Sequence, residues 1–208
     1  GLISTMPAHL SYTTCAVLLE GAHYALSDIN AAQVKQGSRV LVNGGTGGIG
    51  SAAVQIMAHI GAEVTAVCAT PHIEKVKSLG ATHVIDYLTT DFTTLPDTFD
   101  FVFDAVGKSS YWKCRKLLNK NGIYISTELG FMGQNPFLAM FMHYLPGKKI
   151  KFPLAFDDRD DMFTIKHLAS IGAFQPLIDR TYTLDNIAEA YTYVNSGQKI
   201  GNVVITVS

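Results

Sequence analysis

Residues 39–50 read RVLVNGGTGGIG, and no other stretch narrows the fold as far. The short run Val40-Leu41-Val42 stops at Asn43 and meets a glycine cluster. A helical apolar pattern follows at once through Ile49, Ala52, Ala53, Ile56, Met57 and Ile60. Strand, glycine turn and helix in direct succession form the unit that cradles phosphate in dinucleotide-binding folds. Gly45, Gly47 and Gly50 fill the three positions of G-x-G-x-x-G. The first is expected to permit the tight turn, the second to admit a pyrophosphate to the backbone, and the third to let helix pack on strand. The free N–H groups at the positive end of the helix would then face the phosphates.

Strand and helix patterns alternate from there. Strands are expected over 63–67, 83–86, 99–104 and 123–126. The third of these is almost continuously apolar, which suggests burial on both faces. One helix is expected to open at Pro71 and end at Gly80, and another to cover 111–118 and close at Asn121-Gly122. Residues 12–32 read as helix in two pieces, broken near Glu20-Gly21. The alternation predicts an α/β fold, a doubly wound parallel sheet of Rossmann type in the order 3-2-1-4-5-6, with ligand at the carboxyl ends of its strands. The tail predicts a C-terminal α+β extension: helix over 162–171, strand 178–183, helix 186–194 and strand 202–207. Residues 131–153 read as irregular and rich in Phe, Met, Pro and Gly. That composition suits a loop or lid over an apolar ligand, or a subunit contact.

Of the 208 residues, 48% are hydrophobic and 16% charged, enough for a sizeable core. Net charge is −1 with no Lys/Arg run, so neither nucleic acid nor an anionic membrane is an expected partner. No apolar run has the length of a membrane span, and no leader pattern is visible. Cys15, Cys68 and Cys114 are scattered without zinc or redox spacing, which suits buried apolar cysteines in a reduced, cytoplasmic setting. No metal site is expected.

The end of the second strand bears on the nucleotide. NAD binders usually place an Asp or Glu there for the ribose hydroxyls. This chain reads Val67-Cys68-Ala69-Thr70-Pro71-His72, while Glu63 lies at the wrong end and Glu74 in the next helix. Thr70 can donate to a 2′-phosphate, and His72 and Lys75 are near enough in sequence to supply charge or to be plain surface residues. NADP(H) is the expected cofactor.

With these residues placed, the chain resembles the medium-chain dehydrogenase/reductase superfamily, in its zinc-independent quinone oxidoreductase-like branch. The resemblance is carried by VLVNGGTGGIGSAAVQIMAHIGAEVTAVC, KSLGATHVIDY, FDFVFDAVG and PLIDRTYTLDNIAEAYTYVNSGQKIGNVVITV, in the family's order. It implies hydride transfer from NADPH to an α,β-unsaturated carbonyl or quinone. By position, it implies that Thr46, Gly47, Gly48 and Ile49 line the pyrophosphate and that Thr70 approaches the 2′-phosphate. Tyr87 would pack by the adenosine, Val106 and Thr127 would lie beside the nicotinamide half, and Lys199 would reach the phosphates. It also implies possible homodimers through an edge strand near Lys149-Ile150-Lys151-Phe152.

The chain departs from that pattern at three places. Pro71 stands where relatives often carry a basic residue. His23 stands where relatives show a small residue or threonine facing the nicotinamide, so it is either a substrate contact or a histidine packed at a helix boundary. Residues 1–173 match the cofactor domain with linking helices. Residues 174–208 match a segment of a GroES-like substrate domain whose N-terminal bulk is not in this sequence. A nucleotide-binding or interaction module without turnover is therefore an alternative expectation, and alcohol dehydrogenase-type activity of a longer parent is a second. Short-chain dehydrogenase chemistry has no foothold, because the one Tyr-x-x-x-Lys spacing, Tyr144 to Lys148, is interrupted by Pro146-Gly147. No Gly-x-Ser-x-Gly is present. No acid or base could be assigned from sequence.

Overall fold

A computed structural model describes residues 4–155 and 159–207. Two N-terminal helices, α1 (Tyr12–Ala16) and α2 (Glu20–Ala32), precede the first strand, β1 (Arg39–Asn43). Then follow α3 (Gly48–Ile60), β2 (Glu63–Cys68), α4 (Ile73–Ser78), β3 (His83–Asp86), β4 (Phe99–Asp104), α5 (Tyr111–Cys114), β5 (Leu118–Ser126), α6 (Gln134–Met142), β6 (Lys149–Lys151) and α7 (Arg159–Ser170). The six strands form one parallel sheet in the order β3-β2-β1-β4-β5-β6, as the alternation predicts. The chain ends in β7 (Ile178–Thr183), α8 (Ile187–Asn195) and β8 (Asn202–Thr206), where β7 and β8 pair in parallel as a separate two-stranded sheet.

Strand residues alternate between two cores. Val40, Val42, Val64, Ala66, Phe101 and Phe103 face one side, where they pack with α2, α3, α7 and Val76 of α4. Leu41, Val67, Val102 and Tyr124 face the other, against Tyr111, Cys114, Leu117 and the α6 residues Leu138 and Met142. Burial on both faces explains why β4 reads as an almost unbroken apolar run. Phe101 and Phe103 stack at 5.7 Å between ring centroids, and burying each ring contributes about 2–3 kcal/mol.

Two expectations need correction. The helix expected over 111–118 is a single turn followed by a 3-10 turn, Arg115–Leu117, and β5 already starts at Leu118. Asn121-Gly122 lies inside that strand, at a register shift against β4. Asn119 donates to Asp100 across the shift at 2.7 Å, and a side chain at 122 would press on the Phe99 carbonyl. The stretch 131–153 is not irregular: it holds a 3-10 turn (Phe131–Gly133), α6 and β6. Pro136 falls in the first turn of α6, where its missing N–H costs nothing.

Candidate functional site

Sheet register brings the strand ends to one level. Asn43 sits opposite Val67 on one side and Asp104 on the other, Cys68 opposite Asp86, and Asp104 opposite Ser126. The segments that follow these strands therefore converge on one edge, the carboxyl edge, where open α/β sheets bind ligands.

The glycine turn leaves β1 there. Its left-handed residue is Gly44 (φ 89°), one position before the Gly45 expected to make the tight turn. Gly45 instead packs under β2, where an added Cβ would lie 3.1 Å from Ala66. Gly50 behaves as expected: a Cβ would overlap the Gly44 carbonyl oxygen, so only glycine lets α3 approach the turn this closely. Gly47 is the extended N-cap of α3, and Gly48 and Ile49 are its first two residues. No side chain caps this helix end. Its positive dipole end stands behind the turn, where it favours an anion.

At the β2 end, Thr70, Pro71 and His72 form a 3-10 turn leading into α4, with His72 half-buried and Lys75 exposed. Tyr87 is exposed, and its N–H donates to the Cys68 carbonyl at 3.1 Å, which places it beside the same corner. Sequence reasoning found no acid there, but β3 delivers one. Asp86 accepts a hydrogen bond from the Thr70 hydroxyl on Oδ2, and its Oδ1 accepts from the Leu88 N–H at 2.9 Å. Burial pushes the Cys68 thiol up to about 11, and the Asp86 charge adds to that shift.

At the β4 end, Asp104 is fully buried and accepts four hydrogen bonds. They come from Asn43 Nδ2 (2.9 Å), Ser109 N (2.8 Å), the Tyr124 hydroxyl (3.2 Å) and Val106 N (3.4 Å). It ties the 105–109 turn to β1 and β5. The same burial, with the Asp104 charge, holds the Tyr124 phenol well above its ordinary range. Val106 lies against Gly44, which makes it a neighbour of the glycine turn. A cleft of about 490 Å³ runs from Val106 and Gly107 to Glu128, Phe131 and Gln134. Thr127 follows β5 and lines a second cavity, about 300 Å³, with Tyr24, Asp28, Ser126 and residues 152–155. Burial raises the Asp28 carboxyl to about 7. His23 does not open on either cavity. Its Nδ1 lies 3.3 Å from Asp161 Oδ2 on α7, and its Nε2 is buried without a hydrogen-bond partner. The structure thus favours a histidine packed at a helix boundary.

The C-terminal extension closes the other side of the turn. Gly201 N donates to the Thr46 carbonyl at 2.6 Å, and Gly47 and Gly201 form an isolated parallel bridge. Asn202 Oδ1 lies over Gly48, while its Nδ2 donates to Leu177 O at 3.0 Å. Lys199 Nζ donates to the Gly201 carbonyl at 2.8 Å, which holds its ammonium near Thr46 and the helix end. The residues expected at the site thus gather along one edge, in a central group (Thr46, Gly47, Gly48, Ile49, Val106, Lys199), an outer corner (Thr70, His72, Lys75, Tyr87) and Thr127. Asp86, Asp104 and Asp28 were missed. The only sequence signal for the first two was an acid closing an apolar strand, in VID and FVFD.

Cys68 and Cys114 are buried and Cys15 half-buried, all as free thiols. Among the described residues no group of three or more His, Cys, Asp or Glu side chains could hold a metal ion, and no helix is long and apolar enough to cross a membrane.

The profile of the zinc-binding dehydrogenase family matches residues 79–205. The chain is 29% identical to the tomato (Solanum lycopersicum) 2-methylene-furan-3-one reductase, an alignment covering 98% of this chain and 49% of that protein. It is also 29% identical to the mitochondrial NAD(P)H oxidoreductase RTN4IP1 of Bos taurus, covering 99% of this chain and 58% of the relative. It spans about half the length of these curated relatives. The Coxiella burnetii quinone oxidoreductase structure superposes with a TM-score of 0.88 at 25% identity, over 99% of this chain and 64% of that one. With a family match over more than half of its residues and the sheet order, glycine turn and strand-end geometry described above, this chain belongs to the zinc-binding dehydrogenase family of the medium-chain dehydrogenase/reductase superfamily.

Proposed function

We propose that this chain holds NADP(H) for the reduction of an α,β-unsaturated carbonyl or a quinone. The observation that carries the reading is the N-terminus of α3, which has no side-chain cap, behind a turn that requires glycine at positions 44 and 50, at the sheet's carboxyl edge. Thr46, Gly47, Gly48 and Ile49 would hold the pyrophosphate, with Lys199 adding charge. Tyr87 would flank the adenosine, and Thr70, His72 and Lys75 would meet its ribose. Val106 and Thr127 would border the nicotinamide. The cofactor, when bound, supplies the hydride; the protein's part is binding, orientation and exclusion of water. The names of the reductase relatives support the reaction class.

The chain's side of the cleft is open, with Val106, Leu129 and Phe131 exposed. That openness supports a second reading, a nucleotide-binding module without turnover, since hydride transfer needs a water-poor cleft. We further propose that residues 174–208 belong with a GroES-like substrate domain and residues 1–173 with the cofactor domain, in keeping with the separate β7–β8 sheet. The free thiols support a reducing, cytoplasmic setting.

Fluorescence titration with NADPH and NADH, followed by absorbance at the reduced nicotinamide band after adding an enone or quinone, tests this. Saturable binding with acceptor-dependent oxidation is the expected result. Binding without oxidation favours the module, and no binding of either nucleotide overturns both readings.

A further inference from the structure

Sequence reasoning assigned the Thr70 hydroxyl to a 2′-phosphate, and the structure gives that hydroxyl another partner. Parallel register sets Asp86 of β3 beside Cys68 of β2, two residues before Thr70. Thr70 Oγ1 donates to Asp86 Oδ2, and the Leu88 N–H at 2.9 Å fixes the other carboxylate oxygen. A hydroxyl carries one proton. With that proton engaged in the hydrogen bond to Asp86, Thr70 presents only lone pairs to a phosphate, and a carboxylate stands directly behind it. The cations on this side are Lys75 and, when protonated, His72; Lys77 is paired with Glu74 at 2.8 Å.

We propose that Asp86 is a specificity-determining residue: by accepting the Thr70 hydroxyl's hydrogen bond and placing a negative charge at the adenosine corner, it holds down the preference for a 2′-phosphorylated cofactor, so that the protein separates NADPH from NADH only weakly. The proposal rests on the reading of the glycine turn as a dinucleotide cradle. Both nucleotides share that cradle, and only the 2′-phosphate meets the Thr70–Asp86 pair. The pair therefore acts on the ratio of the two affinities.

The test is a parallel titration of the unaltered protein, Asp86→Asn, Thr70→Ala and the double variant with NADPH and NADH. Asp86→Asn keeps the shape of the half-buried side chain, removes its charge and frees Thr70 to donate elsewhere. It is expected to tighten NADPH by about tenfold, the scale of one partly screened charge at contact distance, with NADH changed by less than about twofold. Thr70→Ala is expected to cost NADPH more affinity in the Asp86→Asn background, where the hydroxyl is free to donate, than in the unaltered protein; this non-additivity marks the pair. An equal shift for both nucleotides, or none, overturns the role of Asp86. Failure of the unaltered, folded protein to bind either nucleotide overturns the cradle itself, and it is told apart because NADH serves as the control in every variant.

Discussion

Asp28 lies in α2 with its carboxyl on the wall of the cavity beside Thr127, and burial raises its pKa from 3.8 to about 7. Between these values the folded chain holds a proton that the unfolded chain has lost. Stability therefore falls as pH rises from about 4 through 7, by on the order of 4 kcal/mol at most from this group. Asp28→Asn removes the titration. Thermal melts at pH 5 and pH 8 are expected to show the variant gaining on the unaltered protein mainly at pH 8; an equal difference at both pH values would show that Asp28 does not titrate there. The residue illustrates what one-dimensional reading loses. Glycines announce themselves by type, so Gly47 and Gly50 were legible. The roles of Asp28, Asp86 and Asp104 come from neighbours that only strand register and helix packing supply: Asp86 meets Thr70 because β2 and β3 pair, and Asp104 gathers Asn43, Ser109 and Tyr124 from three separate segments.

Elements were legible where periodicity or a run of β-branched residues was strong, as in α3 and β1 to β4. They were misread where local signals competed. Asn121-Gly122 looks like a helix stop but marks a register shift within β5, because pairing with β4 overrides the turn signal. Residues 134–142 lack an acidic first turn and a side-chain cap, and contain Pro136, so α6 reads weakly although it packs on β6. The β7–β8 pair depends on another backbone detail. Gly201 is left-handed (φ 62°), and a Cβ there would overlap the Leu177 carbonyl oxygen. Gly201→Ala is expected to cost on the order of 2 kcal/mol and to release the bridge to Gly47. Hydrogen exchange should then quicken over 198–206 while β1 and β4 stay protected; unchanged exchange in that tail would refute the role given to Gly201.

At the scale of the molecule, two apolar cores on the faces of one sheet leave β6 as an edge strand, bonded to β5 alone among the described strands. Beside it α6 and its exit expose Phe137, Met140, Phe141 and Tyr144. An uncovered edge next to an apolar face favours pairing with a second copy. Sedimentation is expected to give a dimer mass, and Phe141→Asp with Met140→Asp a monomer; a monomer of the unaltered protein would count against pairing. The bridge between Gly47 and Gly201 also has a consequence in time. A ribosome delivers the glycine turn before the rest of the six-stranded sheet, and the strand that braces it follows the whole of that sheet. Until then the cradle lacks its far wall, so a growing chain completes its sheet before it completes its binding edge.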